Sequence, residues 1–230
     1  MGEAFIRNRV RSRLPSFTYT GSYQAIDDGH GNWRIKFLSS GTLTFKNLKS
    51  GKDGIDVFMV GGGGATNDSR YLQWYGIGYG GAGYTLTQKN ISATKGTAYE
   101  ITVGAAQQAS SAFGYTAAKG NNGSAGYAGE YDAMIVRGGY GGSGGVAALV
   151  ADGTHATDGA SAASYSGWGY NCVGGTGQGT TTREFGEEDG DLYADGGGHD
   201  TLATSNSGNG ANDVDRGGCS GIVIVRNHRE

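Results

Sequence analysis

Proline occurs once and cysteine twice in these 230 residues, no apolar run is long enough to span a bilayer, and neither charge dominates. Each shortage excludes something. With a single proline, the combined glycine and proline content stays below that of a purely low-complexity chain despite 47 glycines, so a folded protein is expected. Cys172 and Cys219 stand far apart with no CxxC or Cys/His ligand spacing, which sets aside a zinc site and favours buried thiols over a disulfide. The opening "MGEAFIRNRVRSRLP" lacks the apolar core of a signal peptide and places Ile6 where the myristoylation pattern wants Ser or Thr. Synthesis in the cytoplasm without Sec export or membrane insertion is therefore expected. A formal charge of −3 gives no reason to expect a nucleic-acid partner. Aliphatic residues are scarce, yet 14 tyrosines supply large side chains for a thin core.

No long helical period is present, and the pattern is that of short strands alternating with glycine segments. Residues 1–16 form a polar arm with Arg7, Arg9, Arg11 and Arg13 at every second position, which lines one face of an extended segment. From residue 17 to 230 a single glycine-rich β domain is expected. It opens as a meander of three short strands, "FTYTGSYQAI", "WRIKFL" and "TLTF", separated by turn formers. The stretch "GIDVFMV" is apolar on both faces, as in the middle of a sandwich, and runs straight into Gly61–Gly64. "YDAMIVRGGYGGSGG" repeats that junction, and "GGCSGIVIVR" reverses it.

Glycine loses more backbone entropy on folding than any other residue, so ordered runs need compensation. Close packing supplies it. In polyproline II geometry three residues complete a turn and no hydrogen bonds form within the chain, so side-chain-free segments can pair N–H with C=O across a bundle. Gly62, Gly63, Gly141 and Gly142 are expected in such packed extended helices.

The succession "IDVFMVGGGG", "GGAGYTLTQ", "GTAYEITVGA", "GQGTTTREFGE", "LYADGGG" and "GGCSGIVIVR" resembles, over residues 17–230, the glycine-rich domain of phage and prophage tail-tip adhesins and tail-fibre proteins. The resemblance implies an all-β fold, a β-sandwich carrying packed polyglycine II helices with little or no α-helix, whose connecting loops face a host cell. It also implies a virion location at a tail tip or fibre, attachment to a larger tail assembly through the arm, and a host-surface glycan or protein as partner, on a monomer or a trimer. This chain departs from the family where "ATNDSRYLQWYGIGYG", "YSGWGYNCV" and "EEDGDLYADGGGHD" replace nearly unbroken glycine.

Those departures carry the candidate receptor-binding residues. Tyr71, Trp74, Tyr75 and Tyr79, with Tyr165, Trp168 and Tyr170, sit among Asn, Asp, Ser and Gly, a composition suited to adaptable recognition and to stacking on a sugar face. The competing structural reading has these rings capping the glycine bundle.

Other motifs carry no chemistry. Gly76–Gly81 fits GxGxxG and Gly141–Gly145 fits GxSxG, but neither has the strand-to-helix context of a dinucleotide site or a nucleophile elbow. His30, His155, His199 and His228 stand apart. Glu184, Glu187, Glu188, Asp189, Asp191, Asp195 and Asp200, like Asp213 and Asp215, lack calcium-loop spacing, and a solvated acidic loop is expected. No catalytic residue, metal or cofactor is expected, and the reading is a non-enzymatic receptor-binding protein. The alternatives are a bacterial surface or secreted adhesin, a purely structural tail component, and a tail-associated depolymerase using the acidic group.

Overall fold

The computed structural model describes residues 14–48, 54–66, 77–126, 135–137, 147–148, 158–162, 165–167, 170–172, 174–198, 204–211 and 217–229. In chain order the strands are β1 (Ser16–Tyr19), β2 (Tyr23–Gly29), β3 (Asn32–Phe37), β4 (Gly41–Asn47), β5 (Gly54–Val60), β6 (Ile77–Gly78), β7 (Thr85–Ser92), β8 (Ala98–Thr102), β9 (Ser110–Ala112), β10 (Tyr115–Ala117), β11 (Ser124–Gly126), β12 (Ile135–Arg137), β13 (Ala147–Ala148), β14 (Tyr165–Gly167), β15 (Tyr170–Cys172) and β16 (Ile222–Asn227). The described residues are otherwise irregular apart from one 3₁₀ turn at Glu184–Gly186.

Two antiparallel five-stranded sheets form the expected sandwich, one in the order β1-β4-β8-β9-β10 and the other β2-β3-β16-β5-β7. Alternation decides which side chains meet between them. On β3, Trp33, Ile35 and Phe37 point inward to Leu43, Phe45, Ile101 and Ala112 of the facing sheet, while Arg34 and Lys36 take the opposite face. Strands β5 and β16 lie side by side and are buried along their whole lengths, because the outer face of their sheet is covered as well. Phe58, Val60, Ile222 and Ile224 form a second apolar cluster there with Phe185 and Ala194.

The expected opening strand "FTYTGSYQAI" divides. β1 pairs with β4 in one sheet and β2 with β3 in the other, with the crossing at Gly21. Gly21 and Gly41 meet there so closely that a Cβ on Gly41 would lie 2.7 Å from the Gly21 nitrogen, a contact only side-chain-free residues permit.

The sandwich has two unlike ends. Ser16 opposite Asn47, and Ile55 opposite Asn227, mark the end where Leu14 packs on the core. Val60, Thr102, Ala117 and Ile222 mark the other, and there the Ser110 hydroxyl donates to the Val60 carbonyl (2.6 Å) and accepts from the Gly104 amide (2.9 Å). From this second end the glycine segments run onward.

Their hydrogen bonds have the three-residue period of polyglycine II. Gly61 and Gly64 donate to Tyr84 (3.0 Å) and Gly81 (2.8 Å) of one neighbouring segment, whereas Gly62 donates to Gln108 (2.8 Å) and Gly63 to Cys219 (2.8 Å) on two others. Acceptors repeat likewise, since the Gly62 and Ala65 carbonyls take the amides of Gly120 (2.9 Å) and Gly123 (2.8 Å). Gly81 and Tyr84 in turn donate to Asn121 and Ala118, both at 2.9 Å. Segments 61–65, 79–84, 104–108, 118–123, 194–197, 207–211 and 217–221 are thereby stitched into one bundle. Gly62 and Gly63 are packed as expected, and Gly141 and Gly142 lie outside the described residues.

Bundle glycines and turn glycines fail differently on substitution. A Cβ on Gly63 would lie 1.9 Å from the Asn209 carbonyl oxygen, so Gly63→Ala is expected to cost about 1–3 kcal/mol or more. Gly31 has open space but a φ of +88°, so Gly31→Ala costs about 1–2 kcal/mol, and Gly31→Asn recovers much of that loss. Asn at position 63 recovers nothing. Denaturant titration of the four variants separates the two mechanisms.

Candidate functional site

Beyond the bundle, short strand pairs close the structure. β6 pairs with β13, β11 with β12, and β14 with β15, the last through Tyr165 opposite Cys172 and Gly167 opposite Tyr170. β6 immediately precedes bundle segment 79–84 and β11 immediately follows 118–123, so both lie at the far end of the glycine segments. β12 touches β6, β13 and β15. β6 and β15 therefore meet around one strand, β12.

Tyr165 and Tyr170 are placed by that hairpin backbone, while Tyr71, Trp74, Tyr75 and Trp168 lie outside the described residues. Tyr79 is a correction. Its side chain is 3% exposed at the start of a bundle segment, so it belongs to the packed interior and offers no surface to a receptor. A Cβ on Gly80, its neighbour, would lie 1.9 Å from the Gly64 carbonyl oxygen, so the backbone beside the ring is itself closely packed.

The acidic segment is a second correction. A solvated loop was expected, but Glu184 is 2% exposed and clamps two cations of β3, Arg34 Nη1 at 2.7 Å and Lys36 Nζ at 3.0 Å. Asp191 reaches the same Lys36 Nζ at 3.0 Å, and the Tyr193 hydroxyl lies 3.0 Å from it. Burial opposes charge on Lys36, yet Tyr193, Asp191 and Glu184 outweigh it and raise its pKa. Phe185 adopts a φ of +56° and presents its ring to Phe58 and, at 4.0 Å, to the Arg226 guanidinium. Glu188 and Asp189 are exposed, as the sequence suggests, and Asp200, Asp213 and Asp215 lie outside the described residues. Among the described residues no group of three or more His, Cys, Asp or Glu side chains is arranged to hold a metal ion.

Asp56 and Arg226 were missed by sequence reasoning, although each is the lone charge in an apolar strand. The register of β5 and β16 places them directly opposite one another. Both are essentially inaccessible, and Asp56 Oδ2 lies 3.1 Å from Arg226 Nε. The carboxylate also accepts the Asn90 amide at 3.0 Å and lies 2.7 Å from His228 Nδ1. Burial works against its ionisation, but the Asn90 amide, His228 and Arg226 together hold its pKa below the ordinary value. Arg226 continues to Glu187 at 2.7 Å, a hydrogen bond that lowers the Glu187 pKa despite partial burial. His228 thus has a structural partner, while His155 and His199 lie outside the described residues. Extended backbone at Ile77–Tyr84, with no helix following, leaves the GxGxxG match without a phosphate-binding helix end. Cys219 is buried in the bundle.

A scan against protein-family models finds no match to this chain, and a search of curated proteins finds none either.

Two outcomes follow from this geometry. Tyr79→Ala removes a buried ring from the bundle and is expected to lower unfolding free energy by about 3–5 kcal/mol, measured by denaturant titration. Asp56→Asn leaves the buried Arg226 with a weaker partner and should cost about 3 kcal/mol at neutral pH. Because the folded-state pKa values of Asp56 and Glu187 are depressed, their contribution is present above the unfolded carboxylate value near about pH 4 and is lost as pH falls through the folded values. Stability measured between neutrality and acid should therefore fall less steeply in Asp56→Asn than in the parent.

Proposed function

We propose that this chain is a non-enzymatic receptor-binding protein of a phage or prophage-derived tail, displaying aromatic loops at one end and docking at the other. The observation that carries the reading is polarity. Leu14, the start of β1 and the end of β16 share one pole of the sandwich, the pole at which an N-terminal basic arm would join a tail structure. At the opposite pole the glycine bundle leads into β6, β12 and β15, and β6 and β15 are next in sequence to the two aromatic segments. A bundle cross-linked by backbone hydrogen bonds holds such loops at little entropic cost, the arrangement a recognition surface needs. The partner is a host-surface glycan or protein, read by stacking on Trp and Tyr rings.

The test is binding of the purified protein to candidate host cells before and after enzymatic removal of surface glycan. Trp74→Ala and Trp168→Ala should each weaken binding by about 2 kcal/mol or more, roughly 30-fold, with little change in unfolding free energy. Deleting residues 1–13 should leave binding intact and abolish incorporation into tail particles. A truncated protein that still enters particles removes the docking role of the arm. Cell binding with no particle association in the parent identifies a surface adhesin instead.

A further inference from the structure

Residues 182–193 cross the outer face of the β2-β3-β16-β5-β7 sheet as a strap with an unusual mode of attachment. Its backbone hydrogen bonds close on itself: the Glu184 amide donates to Asp191 at 2.8 Å, Tyr193 to Thr182 at 3.3 Å and Gly190 to Glu187 at 3.0 Å, with Arg183 bridged to Leu192. The sheet is reached through side chains. Glu184 engages Arg34 and Lys36, Glu187 engages Arg226, and the Phe185 and Tyr193 rings rest on Phe58. Release of an element held in this way breaks none of the ladders beneath it.

Immediately after the strap the chain enters the bundle. The Ala194 amide donates to Ser207 at 2.9 Å and the Gly197 amide to Gly80 at 2.9 Å. The Gly80 carbonyl is a crowded junction, since a Cβ on Gly197 would lie 2.3 Å from it and one on Gly210 2.1 Å. Two residues before Gly80 is β6, which touches β12, which touches β15. One continuous set of contacts thus runs from β3 and β16, through the strap, to the strands that flank the aromatic segments.

We infer that Glu184, Glu187 and Phe185 are positioning residues for the recognition pole: docking of the strap fixes segment 194–197 against Gly80 and so orders β6 and its neighbours. Strap docked and strap released are the two states, and the carboxylates of Glu184 and Glu187 bias the choice. The consequence for receptor affinity rests on the function proposed above; the structural coupling does not.

The experiment is residue-resolved amide exchange by NMR on the full chain, comparing the parent with Glu184→Gln/Glu187→Gln, which keeps side-chain size and removes both charges. Protection at Glu184, Tyr193 and Gly197 should fall tenfold or more, while Gly61, Gly64 and Val223–Val225 keep theirs. If the double variant does not fold, Glu187→Gln alone carries the test, because that side chain is 39% exposed. Loss of strap protection with Gly197 unchanged overturns the inference, and so does equal loss at every site, which would make the strap part of the global unit. Restoring the carboxylate with Glu187→Asp should return protection at Gly197 in part, which a purely steric role would not produce. Cell affinity is read in parallel. A parent that binds no cell ends the functional reading without touching the Gly197 result.

Discussion

The approach of one backbone's Cα to another's carbonyl oxygen, closer than any Cβ allows, is the constraint on which the rest of the structure depends. At Gly62, Gly64 and Gly83 a methyl group would sit about 2 Å from a carbonyl oxygen of an adjacent segment. The same closeness lets Cα–H groups face those oxygens and lets the four amides of Gly61–Gly64 find partners on three neighbouring segments. Glycine's large entropic cost of ordering is offset by dense backbone pairing, and so the most flexible residue type builds the stiff part of the molecule. The sandwich supplies the starting positions, because β5, β10 and β16 each deliver or receive a glycine segment at the same pole.

Charge plays a different part on the outer face of the second sheet. Asp56, Arg226 and Glu184 are buried where apolar residues of similar size would be easier to accommodate. What they provide is register and address. Asp56 opposite Arg226 matches β5 to β16, and Glu184 between Arg34 and Lys36 seats the strap over β3 rather than elsewhere on the sheet. Aromatic contacts between Phe58, Phe185 and Tyr193 then fill the space the ion pairs define.

Much of this fold was legible because its signals are local. The double-faced apolar run of β5, its passage into Gly61–Gly64 and the reversed order at β16 are each visible within ten residues, and they give the sandwich and the bundle. The division of "FTYTGSYQAI" at Gly21 was not, because it depends on Gly41, a neighbour in space that no period reveals. For the same reason Glu184 looks like a solvent-facing carboxylate until Arg34 and Lys36, some 150 residues earlier, are brought beneath it. At the candidate site, composition singles out both aromatic segments but does not rank their rings. Tyr79 shares the chemistry of the other rings, and only its burial at the start of a packed bundle segment sets it apart from a surface ring.

The position of β16 has a kinetic meaning. Residues 222–227 lie between β3 and β5, which do not otherwise touch as neighbours in that sheet. Until β16 inserts, the sheet exists as two separate pairs, β2 with β3 and β5 with β7, each presenting an open apolar edge. The bundle waits on the same event, since segment 217–221 supplies partners to Gly63, Gly104 and Gly208. The sheet and the bundle are thus completed by contacts of very long sequence separation, a topology that slows folding.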